Sequence, residues 1–411
     1  MTMPLSNFIS GLKKELDDLR TAGTVKGNEL VITEVIPPQG DRGPRLKLAG
    51  FGDKEFVRMN ANSYLGMSLR KPVIEAEEHA ARKYGVGPGA VRFISGTFEP
   101  HVELEKRLAA FHGREACMLT SAAYTSIMGV ISCLTTPETM IISDELNHNC
   151  IINAMKLARP KGKLIYRHVD LKDLEAKLQE AVGQAEHAIV VTDGIFSMRG
   201  VYAPLKEIQV LVEKYNDKFP KDIVLLVDDS HGVGAMGVTG RGTEEYCGGK
   251  PVDILVATLG KALGVNGGYI VSKQEIIQYL REKNQFYIYT NPITPSEASA
   301  AMAALALLDS AEGKALLKHL AAMTKKFEQG LVDLGYETLQ SPHPVTPLMV
   351  RDTAKTTELV KFLRENGVLA TGLNYPVVPH GDQSIRFQIA ADHTAHDIDY
   401  VLGVLKAYRN E

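Results

Sequence analysis

The sequence predicts an α/β fold in which a large, mostly parallel sheet is followed by a smaller C-terminal α/β domain. Three observations predict it. Residues 188–192 and 223–228 are unbroken apolar runs, the pattern of strands buried on both faces. Helical patterns of about 10–15 residues separate such runs. After Pro295 the texture changes to an Ala-rich helix and a long amphipathic one, with short strands beyond.

The elements follow in order. A first helix spans residues 7–20, where Phe8, Ile9, Leu12, Leu16 and Leu19 fall near one face. Pro37, Pro38, Gly40, Gly43 and Pro44 then give an extended arm with turns, of a kind that lies across a partner subunit. Residues 57–64 read as a short strand running into a loop. Helices are expected over 104–111, 171–182 and 205–215; in the second, Leu171, Leu174, Leu178 and Val182 recur at helical spacing. Strands are expected over 116–121, 140–144, 188–192, 223–228, 254–258 and 268–272. Helices over 296–308, 313–334, 357–366 and 398–409, with strands over 347–350 and 385–389, complete the chain. The division is an N-terminal helix and arm (1–60), a large domain (61–300) and a small domain (301–411).

Composition narrows the function. Lys plus Arg number 46 and Asp plus Glu 49, a formal charge of −3, which gives a nucleic-acid partner no footing. Cys117, Cys133, Cys150 and Cys247 make no CxxC pair. A Cys-rich zinc site is thereby excluded, no metal is expected, and a reduced, cytoplasmic setting is the plain expectation. No apolar run reaches about 18 residues, which argues against a spanning helix.

Four segments carry chemistry, each beyond an apolar strand. In Thr258-Leu259-Gly260-Lys261-Ala262-Leu263-Gly264, followed by Gly267 and Gly268, the lysine is either an ordinary turn residue or a Schiff-base former. The glycines allow backbone to approach a phosphate, and the Thr258 hydroxyl can bond it. Asp228, at the end of the second apolar run, is a metal ligand, a helix cap or the partner of a protonated pyridine nitrogen. His231, three residues on, can reach a phenolic oxygen. His148 is structural or stacks on a flat ring. Asp193 to Met198 follow a fourth strand. Strand ends gathered on one sheet edge are where open α/β sheets bind ligands.

The chain resembles the α-oxoamine synthase family of fold-type I pyridoxal-phosphate enzymes, with motifs nearest those of glycine C-acetyltransferases. The matching stretches run from Asn62-Ser63-Tyr64-Leu65-Gly66 through 91–97 with His101, Leu104 and Glu105, then 142–148, 191–198, 227–231 and 240–243. They end with 258–264, 375–379 and 385–391. The resemblance implies pyridoxal 5′-phosphate (PLP) held by Lys261, which also serves as base. It implies Asp228 on the pyridine nitrogen, His231 and Ser197 near the phenolic oxygen, and His148 stacked on the ring. The phosphate falls to Thr258, to the backbone N–H groups of Ala122 and Ala123, and to Thr290 and Asn291 of a neighbouring subunit. The resemblance thereby implies a homodimer with shared sites. Arg386, assisted by Asn62, clamps the amino-acid carboxylate. The implied reaction condenses an amino acid, glycine favoured, with an acyl-CoA, acetyl-CoA favoured, and releases CoA.

Three departures stand out. Ser121-Ala122-Ala123-Tyr124 displaces an aromatic ring by one position, Arg199 replaces an acidic residue, and 166–170 reads Tyr-Arg-His-Val-Asp. Arg199 either pairs with a local carboxylate or recognises a charged substrate. The alternatives are another reaction of the family (8-amino-7-oxononanoate, 5-aminolevulinate or serine palmitoyltransferase type), or a CoA-independent PLP lyase or aldolase. Last comes a non-catalytic partner subunit, which Lys261 argues against.

Overall fold

The computed structural model describes residues 5–21, 25, 29–375 and 377–410. Residues 1–4, 22–24 and 26–28 of the expected N-terminal helix and arm, and Pro376 of the 375–379 motif, lie outside the described residues. Helix α1 (Ser6–Thr21) buries none of its side chains. Where an extended arm was expected, β1 (Ile32–Ile36) and β2 (Arg45–Leu48) pair as an antiparallel hairpin. The prolines and Gly40, at φ +62°, form the turn, and the flanking residues supply the ladder. Leu46 and Leu48 of β2 pack with Phe56 and Leu369.

After β3 (Val57–Arg58) come α2 (Lys71–Tyr84), α3 (Glu99–Phe111), β4 (Ala116–Thr120), α4 (Ala123–Leu134), β5 (Thr139–Asp144) and α5 (Asn149–Ala158). Next are β6 (Gly162–Tyr166), α6 (Leu171–Ala181), β7 (His187–Asp193), α7 (Leu205–Asn216), β8 (Ile223–Asp228), α8 (Thr243–Cys247), β9 (Ile254–Thr258) and β10 (Gly268–Ser272). Helices α9 (Gln274–Lys283), α10 (Gln285–Ile288), α11 (Pro295–Leu308) and α12 (Ala311–Asp333) lead to β11 (Glu337–Thr338) and β12 (Val345–Met349). The chain ends with α13 (Thr353–Glu365), β13 (Val368–Leu369), β14 (Thr371–Leu373), β15 (Ser384–Gln388) and α14 (Ala395–Asn410).

Among the described residues the central sheet has seven strands in the order β4-β10-β9-β8-β7-β5-β6. Only β10 runs against its neighbours. The apolar runs are buried on both faces as their composition requires. Ile189 and Val191 face one core cluster with Leu226, Ile254 and Val256, and Ala188 and Val190 face the other with Leu225 and Val227. Each buried Val, Leu or Ile among them contributes about 1.5–3 kcal/mol by leaving water. A second sheet, β11-β12-β15-β14, is antiparallel throughout. The β3 strand, early in the chain, pairs with β13 beside it.

Part of the 91–105 motif proves to be scaffold. Arg92 meets Glu105 through two hydrogen bonds of 3.1 and 3.2 Å, and Glu105 also accepts Leu119 N at 2.9 Å. His101 Nε2 bonds Ile293 O at 2.8 Å. The second aspartate after β8 is likewise internal: Asp229 accepts Thr243 N and Oγ1 at 2.7 and 2.6 Å. No helix among the described residues is long and apolar enough to cross a membrane.

Candidate active site

Four adjacent parallel strands, β5, β7, β8 and β9, end at one edge of the central sheet. Register sets Asp193, the last residue of β7, opposite Asp228, the last of β8. A cavity of about 280 Å³ opens there, and its wall holds eight residues expected from the sequence: Ala122, Ala123, His148, Ser197, Asp228, His231, Thr258 and Lys261.

Lys261 sits in the turn between β9 and β10. Thr258 Oγ1 closes that turn, donating to Gly267 O and accepting Gly260 N, both at 3.0 Å. Burial pulls the ammonium pKa down to about 8, with Arg386 adding to the effect, while Asp228 and Asp193 oppose it. The amine is therefore partly neutral near physiological pH, as a nucleophile requires.

Asp228 Oδ1 accepts Ser230 N at 3.1 Å, and Cys150 Sγ donates to Oδ2 at 3.6 Å. His148 caps α5, its Nδ1 accepting Cys150 N at 3.3 Å, and its own N–H donates to Asp193 Oδ2 at 3.0 Å. Burial, then the neighbouring Asp228 charge, hold the Asp193 pKa well above the usual carboxylate range. Burial lowers the pKa of His148. Asp193 and Cys150 were given no role from sequence. The twin strand-end aspartates marked the first; nothing in the residue pattern marked the second.

One end of the cavity is built for an anion. Helix α4 has Ala122 at its N-cap and so no side-chain cap. Thr125 Oγ1 donates to Ala122 O at 2.7 Å, and the Thr120 and Ser126 hydroxyls bond one another at 2.6 Å beside the same carbonyl; with no capping side chain, the first-turn N–H groups at the cavity wall are left for a ligand. Gly268 permits this approach, since a Cβ there would lie 2.3 Å from Ala123 N.

Arg386 and Asn62 meet one another but lie outside that cavity wall. Arg386 NH2 donates to Asn62 Oδ1 at 3.2 Å and its Nε to Ser197 O at 2.7 Å. Asn62 and Lys261 share a second, polar cleft. Thr290 and Asn291, just beyond α10, are absent from the cavity wall of their own chain. Of the three departures, Arg199 pairs with Asp382, the local-carboxylate outcome. Tyr124 sets its ring edge toward His148, with centroids 6.2 Å apart. His168 bonds Asp144 at 3.1 Å and packs on Phe196. A larger cavity of about 590 Å³, walled in part by Ile152, Phe196, Met198, Met349 and Val378, adjoins the first at His148 and Ser197.

The chain is similar to known proteins over nearly its whole length. Residues 54–405 match the family described as aminotransferase class I and II. An 8-amino-7-oxononanoate synthase from Thermosipho melanesiensis is 39% identical over 95% of both chains. A mitochondrial 2-amino-3-ketobutyrate coenzyme A ligase from Mus musculus is 36% identical over 94% of this chain and 89% of its own. A serine palmitoyltransferase from S. paucimobilis, solved with a bound PLP–myriocin aldimine, superposes with a TM-score of 0.87 at 26% identity, covering 99% of this chain and 98% of the other.

Proposed function

The chain belongs to the aminotransferase class I and II family, in its α-oxoamine synthase group, and on that premise we propose that it joins an amino acid to the acyl group of a coenzyme A thioester. Its cofactor is PLP, and the residues present fit that group. The open amides of α4 suit a phosphate. Ser230 Oγ and Asp193 Oδ1 are buried without a hydrogen-bond partner at the cavity. When bound, the cofactor supplies an aldehyde for an amino group and a protonated ring that withdraws electrons from the adjoining carbon.

Lys261 would hold that aldehyde through Nζ, and Asp228 the ring nitrogen. The amides of Ala122 and Ala123, with Thr258, would take the phosphate, joined by Thr290 and Asn291 from a second copy in a homodimer. His148 would lie against the ring, with His231 and Ser197 near its phenolic oxygen. Lys261 would also take the Cα proton of the amino acid as general base; its pKa near 8 suits that task. One C–C bond then forms at the thioester carbonyl, the C–S bond breaks, and the thiolate of CoA leaves with a proton.

Arg386 carries the reading. It is a buried guanidinium whose hydrogen bonds go to neutral oxygens, Ser197 O and Asn62 Oδ1, and no carboxylate among the described residues pairs with it. A buried cation without an anion is costly unless a ligand supplies one, and an α-carboxylate matches the guanidinium fork. Glycine and acetyl-CoA are the favoured pair. The apolar-walled cavity beside His148 supports a second reading, a longer acyl thioester. The test is thiol release by PLP-loaded protein from acyl-CoAs of increasing length, with glycine, alanine and serine supplied in turn. Fastest release with glycine and acetyl-CoA is expected. Release only from longer chains selects the second reading, and none from any thioester leaves a CoA-independent PLP reaction.

A further inference from the structure

His231 is pinned from outside the strand-end edge. Its Nδ1 lies 2.7 Å from the Tyr64 hydroxyl. Its carbonyl oxygen accepts from His343 Nε2 at 2.9 Å, and the His343 ring packs edge-on against Tyr64 at 5.1 Å. Burial, with Lys261, Arg386, His343 and His148 nearby, keeps the His231 imidazole neutral. A neutral imidazole has a single N–H, on one nitrogen or the other.

Tyr64 decides which. The residue is fully buried, and burial raises its pKa, so the phenol keeps its proton. Arg386 sits beside the phenol oxygen, and a guanidinium only donates. The Tyr64 hydrogen then has two acceptors to choose between, Asn62 Oδ1 at 3.4 Å and His231 Nδ1 at 2.7 Å. The shorter distance is a full hydrogen bond and the longer lies at the limit of one. Nδ1 of His231 is thus the acceptor, and its proton belongs on Nε2, the nitrogen left to the cavity that His231 lines.

We propose that Tyr64 is a positioning residue that fixes the His231 proton on Nε2, so that the imidazole presents a donor rather than a lone pair to the cavity. The inference rests on reading that cavity as the cofactor site, where a donor would meet the phenolic oxygen of the ring.

The experiment uses PLP-loaded Tyr64→Phe protein, which loses one oxygen and keeps the ring. The cofactor is expected to stay bound, while the pH midpoint of its absorbance change moves by about one unit. The kcat falls about tenfold, as for one lost hydrogen bond, and KM for the amino acid changes by less than about twofold. In a His231→Gln background, adding Tyr64→Phe costs nothing further, because the two act as one unit. An unchanged midpoint and kcat, or fully additive losses, overturns the inference. Should the variant not fold, ¹⁵N-histidine spectra of the wild-type holoenzyme decide: a proton on Nε2 of His231 supports it and one on Nδ1 overturns it. Wild-type protein that takes up no PLP overturns the reading of the site itself, whereas normal uptake with an unaltered Tyr64→Phe variant overturns this inference alone.

Discussion

The strand-end edge and the seam with the four-stranded sheet face the same space, but they are assembled differently. At the edge, Asp193, Asp228 and Lys261 are fixed by a local rule: an apolar strand, then a loop within three residues of its end. At the seam, contacts span the chain. Arg386 reaches Ser197 across 189 positions and Asn62 across 324, and His343 reaches His231 across 112. The groups proposed to carry the chemistry, Lys261 and Asp228, thus sit at the ends of buried strands of the central sheet. The groups proposed to recognise the amino acid, Arg386 and Asn62, sit where contacts span the two sheets, and a small displacement of either sheet changes their geometry.

That division is broken most severely by removing the edge lysine. Lys261→Ala is expected to lower thiol release by about a thousandfold or more and to abolish cofactor retention after borohydride treatment and dialysis. A seam substitution should act differently. Arg386→Lys keeps the charge and loses the planar fork. It should raise KM for the amino acid by about 10- to 100-fold, the value of a charged hydrogen bond, and change kcat less. Equal loss in kcat would place Arg386 with the chemistry instead.

A pH measurement sharpens the edge further. The Lys261 pKa is lowered to about 8, mainly by burial, so neutral amine accumulates as pH rises through about 8, well below the 10.5 of an ordinary lysine. Reaction of the apoprotein with trinitrobenzenesulfonate, followed at Lys261 by peptide mass spectrometry, should show that midpoint. Asp228 pulls the pKa upward, so Asp228→Asn should shift the midpoint lower. A midpoint near 10.5 in the unsubstituted protein would contradict the buried setting.

The same division explains what was legible in the sequence. The seven-stranded sheet announced itself through unbroken apolar runs, and eight site residues follow strands or open a helix at one edge. The β1–β2 hairpin was hidden because its prolines and glycines speak for turns, its strands are only five and four residues long, and the first of them is exposed along most of its length. Helix α4 was hidden because Ala122 at its N-cap offers no capping side chain, the very feature that leaves its amides open. Asn62 and Arg386 came from the family resemblance, since no periodicity joins residues 324 positions apart. Cys150 and His343 had no local signal at all, because their partners are chosen by tertiary packing.

The smallest expected effect probes the seam at Arg199, one of the three departures from the family's motifs. Arg199 and Asp382 join the loop after β7 to the loop before β15, and both line the larger cavity with Met349 and Val378. Their side chains are 34% and 23% exposed, so solvent screening limits the pair to about 0.2–1 kcal/mol of stability. A double-mutant cycle with Arg199→Ala and Asp382→Ala should return a coupling in that range, shrinking as salt is added. Exchanging the charges, Arg199→Asp with Asp382→Arg, should recover most of it. Because the pair borders the larger cavity and not the clamp, either single substitution should raise KM for the thioester by about twofold, with KM for the amino acid unmoved. An equal rise for the amino acid would mean that the loops transmit their displacement to Arg386, four residues beyond Asp382 on the same chain segment, and that edge and seam are mechanically one unit.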